Sequence, residues 1–156
     1  MKKQLYIAYG SNLNCRQMAQ RCPTAQPIAV AWLEDYRLVY QGRPGNAHAN
    51  VIPEKGQKVP VAIWEISAQD ERALDRYEGV AGGYYTKEYV EIECNGEKVE
   101  ALIYLMTPNP YNRPSDYYLD VIVHGYRDFN LPAEYLNESV MYTLNQINRK
   151  RKEAVI

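Results

Sequence analysis

Leu5-Tyr6-Ile7-Ala8-Tyr9-Gly10-Ser11-Asn12-Leu13 is the stretch on which the reading of the fold turns. Leu5 to Ala8 is an apolar run of strand length, and Cys15 to Gln20, just beyond, reads as a helix. A strand that turns through Gly10-Ser11-Asn12 into a helix leaves backbone N–H groups at the helix start without intrahelical acceptors. Such a spot favours negative charge, whether a carboxylate, a phosphate or a developing oxyanion. A well-capped first helix accounts for the same residues, with Ser11 or Asn12 as the N-cap.

Further along, Gln26 to Leu33 alternates weakly and Tyr36 to Gln41 reads as a strand. Gly42 to Asn50 is expected to be a loop, and Pro53-Glu54-Lys55-Gly56 a turn. Val59 to Ile66 is apolar on both faces and therefore central. Ser67-Ala68-Gln69-Asp70 opens a helix with a capping-box pattern; Gly79 is its natural C′ residue. Tyr84 to Cys94 and Lys98 to Met106 flank Asn95-Gly96, a type I′ hairpin signal. That turn sets Ile92 opposite Val99, Val90 opposite Ala101 and Tyr85 opposite Met106. Ser115 caps a helix carrying Tyr118, Leu119, Ile122 and Tyr126. After Leu131-Pro132 a last helix runs from about Ala133 to Ile147, leaving Arg149-Lys150-Arg151-Lys152 as a solvated, frayed tail.

Strands fill the first two thirds of the chain and helices the last, which is the order of an α+β protein. Roughly seven short strands would close into a small mixed β-barrel with flanking helices. No repeat or linker interrupts the sequence, so a single domain is expected over residues 1–156.

The 156 residues carry a formal net charge of −1, so no global field draws nucleic acid or a membrane surface. Cys15, Cys22 and Cys94 lack the spacing of a disulfide framework or a zinc site. His48 and His124 stand without neighbouring ligands, so neither metal nor cofactor is expected. Met1-Lys2-Lys3-Gln4 leads directly into a strand, with no signal-type apolar core, and a cytoplasmic protein is expected. Fifteen tyrosines against one phenylalanine are the compositional oddity; a buried tyrosine supplies apolar area and a hydroxyl that needs a partner.

Glu78 is the most informative single side chain. It sits at the end of a helix, in Leu74-Asp75-Arg76-Tyr77-Glu78-Gly79, where the macrodipole disfavours a carboxylate and raises its pKa. A raised Glu suits a general base working near neutral pH; an exposed Glu on a short helix is the plainer account. On the hairpin register Tyr85 and Tyr104 share a face as diagonal neighbours, placed for their hydroxyls to converge on one ligand. Ser11 has neither a Gly-x-Ser-x-Gly frame nor a His partner, so it is not read as a nucleophile.

With these residues in view, the chain resembles the γ-glutamyl cyclotransferases, whose signature is Tyr-Gly-Ser-Asn followed by Asp-x-x-Glu-Gly. Here those are Tyr9 to Asn12 and Asp75 to Gly79. The likeness continues through Gly83-Tyr84-Tyr85, Tyr104-Leu105-Met106-Thr107, Pro114-Ser115 with Tyr118, and Leu131-Pro132-Ala133-Glu134-Tyr135. The later elements look closest to the branch acting on γ-glutamyl amino acids; the glutathione-specific branch carries Tyr-Gly-Ser-Leu, which Asn12 does not match. The resemblance implies a small barrel with flanking helices and conversion of a γ-glutamyl amino acid or amine to 5-oxoproline and a free amine. It implies Glu78 as catalytic acid/base, a substrate loop at Tyr9, Gly10, Ser11, Asn12 and Leu13, and cavity tyrosines Tyr85, Tyr104 and Tyr118. Tyr118 is reached through the resemblance alone. The alternative is a non-catalytic barrel of the same fold that binds a small acidic metabolite.

Overall fold

The computed structural model describes residues 3–155. β1 (Gln4–Ala8) leads through a 3₁₀ turn (Ser11–Leu13) into α1 (Cys15–Arg21). β2 (Gln26–Arg43), β3 (Asn46–Ile66), α2 (Ala68–Tyr77), β4 (Tyr85–Cys94) and β5 (Glu97–Met106) follow, then α3 (Asp116–Asp128) and α4 (Ala133–Ala154). The strands form one five-stranded sheet in the order β2-β3-β1-β5-β4. β1 sits at its centre, antiparallel to β3 and parallel to β5, which is why its residues are apolar on both faces. Ile7, Ala8, Ile63 and Leu102 there are fully buried.

The α+β class expected from the sequence holds, but the sheet is not closed into a barrel. β2 and β4 are its two edges, each paired in the sheet with one strand, its hairpin partner. Fewer strands appear than expected because neighbouring apolar segments run together. Gly42 to Asn50 is not a loop: Arg43 pairs with Asn46 across a tight Pro44-Gly45 tip, where Gly45 takes φ +71°. Pro53 to Gly56 is not a turn but a bulge within β3. Asp35 (φ +65°) stands opposite that segment, and its carboxylate accepts the Gly56 N–H at 2.9 Å.

The Asn95-Gly96 hairpin has the expected register, with both turn residues at positive φ (52° and 84°) as type I′ requires. α2 opens with the expected capping box, Ser67 Oγ accepting from Asp70 N–H and Asp70 Oδ2 from Ser67 N–H, each at 3.1 Å. It closes in a Schellman motif: Gly79 (φ +65°) donates to Arg76 O and Val80 to Asp75 O. α1 is capped by Asn14, whose side chain accepts from Gln17 N–H, and not by Ser11 or Asn12. Those two residues belong to the turn before it.

α4 is held to β2 by polar contacts in a dry setting. Tyr40 N–H donates to Thr143 Oγ1 at 3.1 Å, and the Tyr40 hydroxyl meets Ser139 Oγ at 3.1 Å. The Arg149–Lys152 segment is exposed, yet it is helical: no breaker follows Asn148, so α4 continues through it. α3 lies directly on the turn after β1. A Cβ on Gly125 would stand 2.6 Å from Leu13 Cβ, so only a glycine lets the two backbones approach this closely.

Candidate active site

β1 and β5 run parallel, so their C-terminal ends lie together, and β4 begins beside the end of β5. The turn after β1, the end of α2 and the first turn of α3 close around that end of the sheet. They enclose a cavity of about 130 Å³. Of the residues singled out from sequence, Tyr9, Gly10, Ser11, Asn12, Glu78, Tyr85, Tyr104 and Tyr118 all border it. Leu13 does not: it is fully buried against α3 at Gly125. The 3₁₀ turn rotates its side chain into the core while leaving Ser11 and Asn12 at the cavity.

Glu78 is the C-cap of α2, fixed by its N–H donating to Leu74 O at 2.8 Å. Its carboxyl accepts no hydrogen bond from a described residue. Burial is the main cause that pushes its pKa up to about 8, with the Arg21 guanidinium pulling the other way. The direction agrees with the macrodipole reading, and the cause that raises it is burial.

The tyrosine hydroxyls have separate duties. Tyr85 donates to Ala49 O at 2.7 Å, Tyr9 to Tyr104 O at 2.6 Å, and Tyr104 to Asp75 Oδ1 at 2.6 Å. Tyr85 and Tyr104 therefore share the cavity wall as expected, but their protons do not converge on one ligand. Asp75, which also receives Lys87 Nζ at 3.1 Å, takes the proton of Tyr104 away from the cavity. Tyr118 Oη accepts the Ala49 N–H at 3.0 Å. Both free backbone groups of Ala49 are thus capped by tyrosines where β1 has ended and β3 has no partner on that side.

Tyr6, His48, Ala49, Tyr77 and Tyr84 also border the cavity, and none was singled out from sequence. His48 lies in the segment read as a loop. Its Nδ1 is 3.3 Å from the Tyr84 hydroxyl, its ring meets Tyr118 edge-on at 4.9 Å, and burial lowers its pKa, keeping it neutral. Tyr77 closes the wall between Ser11 and Arg21: its hydroxyl is 2.9 Å from Ser11 Oγ and the guanidinium stacks 3.5 Å over its ring. The Ser11 and Asn12 backbone N–H groups have no backbone acceptor among the described residues. They are the donors that the strand-to-helix reading anticipated. No group of three or more His, Cys, Asp or Glu among the described residues is placed to hold a metal. No helix there is long and apolar enough to cross a membrane.

Gly10 is required for space. A Cβ there would stand 2.9 Å from Ala49 Cβ and 3.5 Å from Tyr118 Oη. Gly10→Ala is expected to cost about 1–3 kcal/mol through overpacking and to shift Ala49 with the two tyrosines it holds. Thermal melting and ligand titration of the variant check this; wild-type values for both would contradict it.

Residues 58–138 match the AIG2-like family, and the chain belongs to that family. It is 29% identical to the human protein named gamma-glutamylcyclotransferase, over 97% of this chain and 85% of the relative. The mouse protein of the same name is 31% identical, over 84% of this chain and 74% of the relative. A solved structure named gamma-glutamyl cyclotransferase superposes with a TM-score of 0.80 at 29% identity, covering 88% of this chain and 86% of that one.

Proposed function

We propose that this protein is a γ-glutamyl cyclotransferase that converts a γ-glutamyl amino acid to 5-oxoproline and the free amino acid. A cyclotransferase activity in general is what the named relatives support. The observation that carries the finer reading is Glu78: a lone carboxyl at a rigid helix end, facing a small cavity, with its pKa pushed up to about 8.

In this mechanism a γ-glutamyl group enters with its α-ammonium toward Glu78. The incoming positive charge favours the carboxylate, and Glu78 takes one proton to leave a neutral α-amine. The amine nitrogen attacks the γ-carbonyl carbon; the new C–N bond closes the ring and the carbonyl π pair moves onto oxygen. As the tetrahedral species collapses, the bond to the leaving nitrogen breaks. Glu78 returns its proton to that nitrogen, takes the remaining extra proton from the ring nitrogen, and passes it to the released amine, which leaves as an ammonium and restores the carboxylate. The net reaction consumes no co-reactant. Ring closure is intramolecular, so holding the bent conformer between Tyr85, Tyr104 and Tyr118 supplies much of the acceleration. In this reading the Ser11 and Asn12 amides, which have no backbone acceptor among the described residues, receive negative oxygen.

A panel of γ-glutamyl amino acids and γ-glutamyl amines, read by 5-oxoproline release, tests the proposal. Turnover of the amino acid members is expected. Turnover of the amines alone would move the substrate class. Tight 5-oxoproline binding with no turnover of any member would replace the enzyme with a binding protein.

A further inference from the structure

Tyr6 and Tyr118 differ from Tyr9, Tyr85 and Tyr104 in which partner supplies the proton. A guanidinium can only donate, so the hydrogen bond from Arg21 fixes the Asn12 oxygen toward Arg21. The Asn12 amide nitrogen then faces Tyr6, 2.9 Å from its hydroxyl, and an amide nitrogen also only donates. Tyr6 Oη must therefore accept, and its own proton is left over. The same logic holds for Tyr118, which accepts from the Ala49 backbone N–H. Tyr9, Tyr85 and Tyr104 have all given their protons to protein oxygens.

The Tyr6 bond is the last of three side chains that all point one way, from a cation through Asn12 to the cavity. Each link polarises the next, which makes the terminal O–H a better donor than an isolated phenol. Arg21 itself is engaged elsewhere, bonded to Gln17 at 3.0 Å and stacked on Tyr77. Its charge therefore reaches the Tyr6 hydroxyl through neutral groups. A neutral, pre-aimed donor is suited to charge that develops during a reaction and not to a full carboxylate in the ground state.

We infer that Tyr6 is a further catalytic residue, its O–H donating a hydrogen bond to the γ-carbonyl oxygen as that oxygen gains negative charge, with Asn12 and Arg21 positioning it. No proton is transferred from Tyr6 in this step. The inference rests on the cyclotransferase reading.

Two variants test it, with kcat and KM for γ-glutamyl-alanine measured separately. Tyr6→Phe removes the donor. Asn12→Asp keeps the acceptor for Arg21 but replaces the amide with a second oxygen, toward which the Tyr6 proton then turns. Each is expected to lower kcat roughly 10²-fold with KM little changed. The double variant is expected to lose no more than Tyr6→Phe alone, because both changes remove one donor. A wild-type kcat in either variant with an unchanged melting temperature, or a loss wholly in KM, would overturn the inference. If the wild-type chain releases 5-oxoproline from no member of the panel, the functional reading fails by itself. Titration with 5-oxoproline, whose ring carbonyl is the same oxygen, then decides the donor: weaker binding to Tyr6→Phe supports it and equal binding overturns it.

Discussion

Glu78→Gln is expected to abolish 5-oxoproline release, by roughly 10²- to 10⁴-fold, while leaving the protein folded. The amide matches the carboxyl in shape, so the cavity walls have no reason to move. It cannot take the proton of the α-ammonium, so the nucleophile does not form. Substantial 5-oxoproline release from a folded variant would end the assignment. The same substitution makes a stability prediction with a definite sign. The carboxyl has a folded-state pKa of about 8 against an ordinary value of 4.5, so between these limits the native state holds a proton that the unfolded chain has lost. Native stability from this group therefore falls as pH rises from about 4.5 to about 8, and the full penalty is present above that window. Glu78→Gln removes the penalty and is expected to be more stable than wild type at pH 9, by up to a few kcal/mol. The difference should vanish by pH 4. Denaturant titrations at the two pH values check it. Because Glu78 must be ionised to act and Arg21 lowers its pKa, Arg21→Gln is expected to move the acidic limb of kcat/KM to higher pH.

The parts of this protein that were legible in the sequence are those in which a local rule fixes the geometry. Asn95-Gly96 selects a type I′ turn, and a turn type fixes a register, so the placing of Tyr85 opposite Met106 followed without any tertiary information. Ser67 with Asp70, and Gly79 at the other end, bounded α2 and so placed Glu78 at its C-cap. What was not legible depends on contacts between distant segments. His48 and Asn50 are strand residues with polar side chains because they have polar partners: Asn50 Oδ1 receives the Met106 N–H and His48 faces Tyr84. A strand that carries polar groups inward resembles a loop when only its composition is read. Tyr6 was hidden for the opposite reason. β1 is central and buried on both faces, so no alternation distinguishes the side that meets the cavity from the side that does not. The closed barrel was inferred from several short strands. Once two pairs of segments merge into β2 and β3, an open sheet with helices on it accounts for the same apolar pattern.

Gly125→Ala is expected to be the most damaging single-methyl change outside the cavity. Two effects oppose each other. Alanine in a helix interior is favoured over glycine by about 1 kcal/mol, an upper bound here because position 125 lies in the last turn of α3. Against this, the added Cβ would meet Leu13 Cβ at 2.6 Å, Leu13 carbonyl carbon at 2.7 Å and Asn14 nitrogen at 2.8 Å. Two of the three are backbone atoms, which no side-chain rotation relieves. Overpacking of this kind costs about 1–3 kcal/mol and sometimes more, so the steric term wins and a net loss of about 2 kcal/mol is expected. For a chain of this length that is a fall in Tm of roughly 4–8 °C. The loss should not be confined to stability. α3 carries Tyr118 on its first turn, and the turn it presses on carries Ser11 and Asn12, so both walls of the cavity shift when the two separate. Gly125→Ala is therefore expected to lower kcat/KM at temperatures where it remains folded. Arg127→Ala, an exposed change on the same helix, should alter stability by less than about 0.5 kcal/mol and leave turnover intact. A Gly125→Ala protein with wild-type Tm and wild-type turnover would show that α3 does not set the position of the substrate loop.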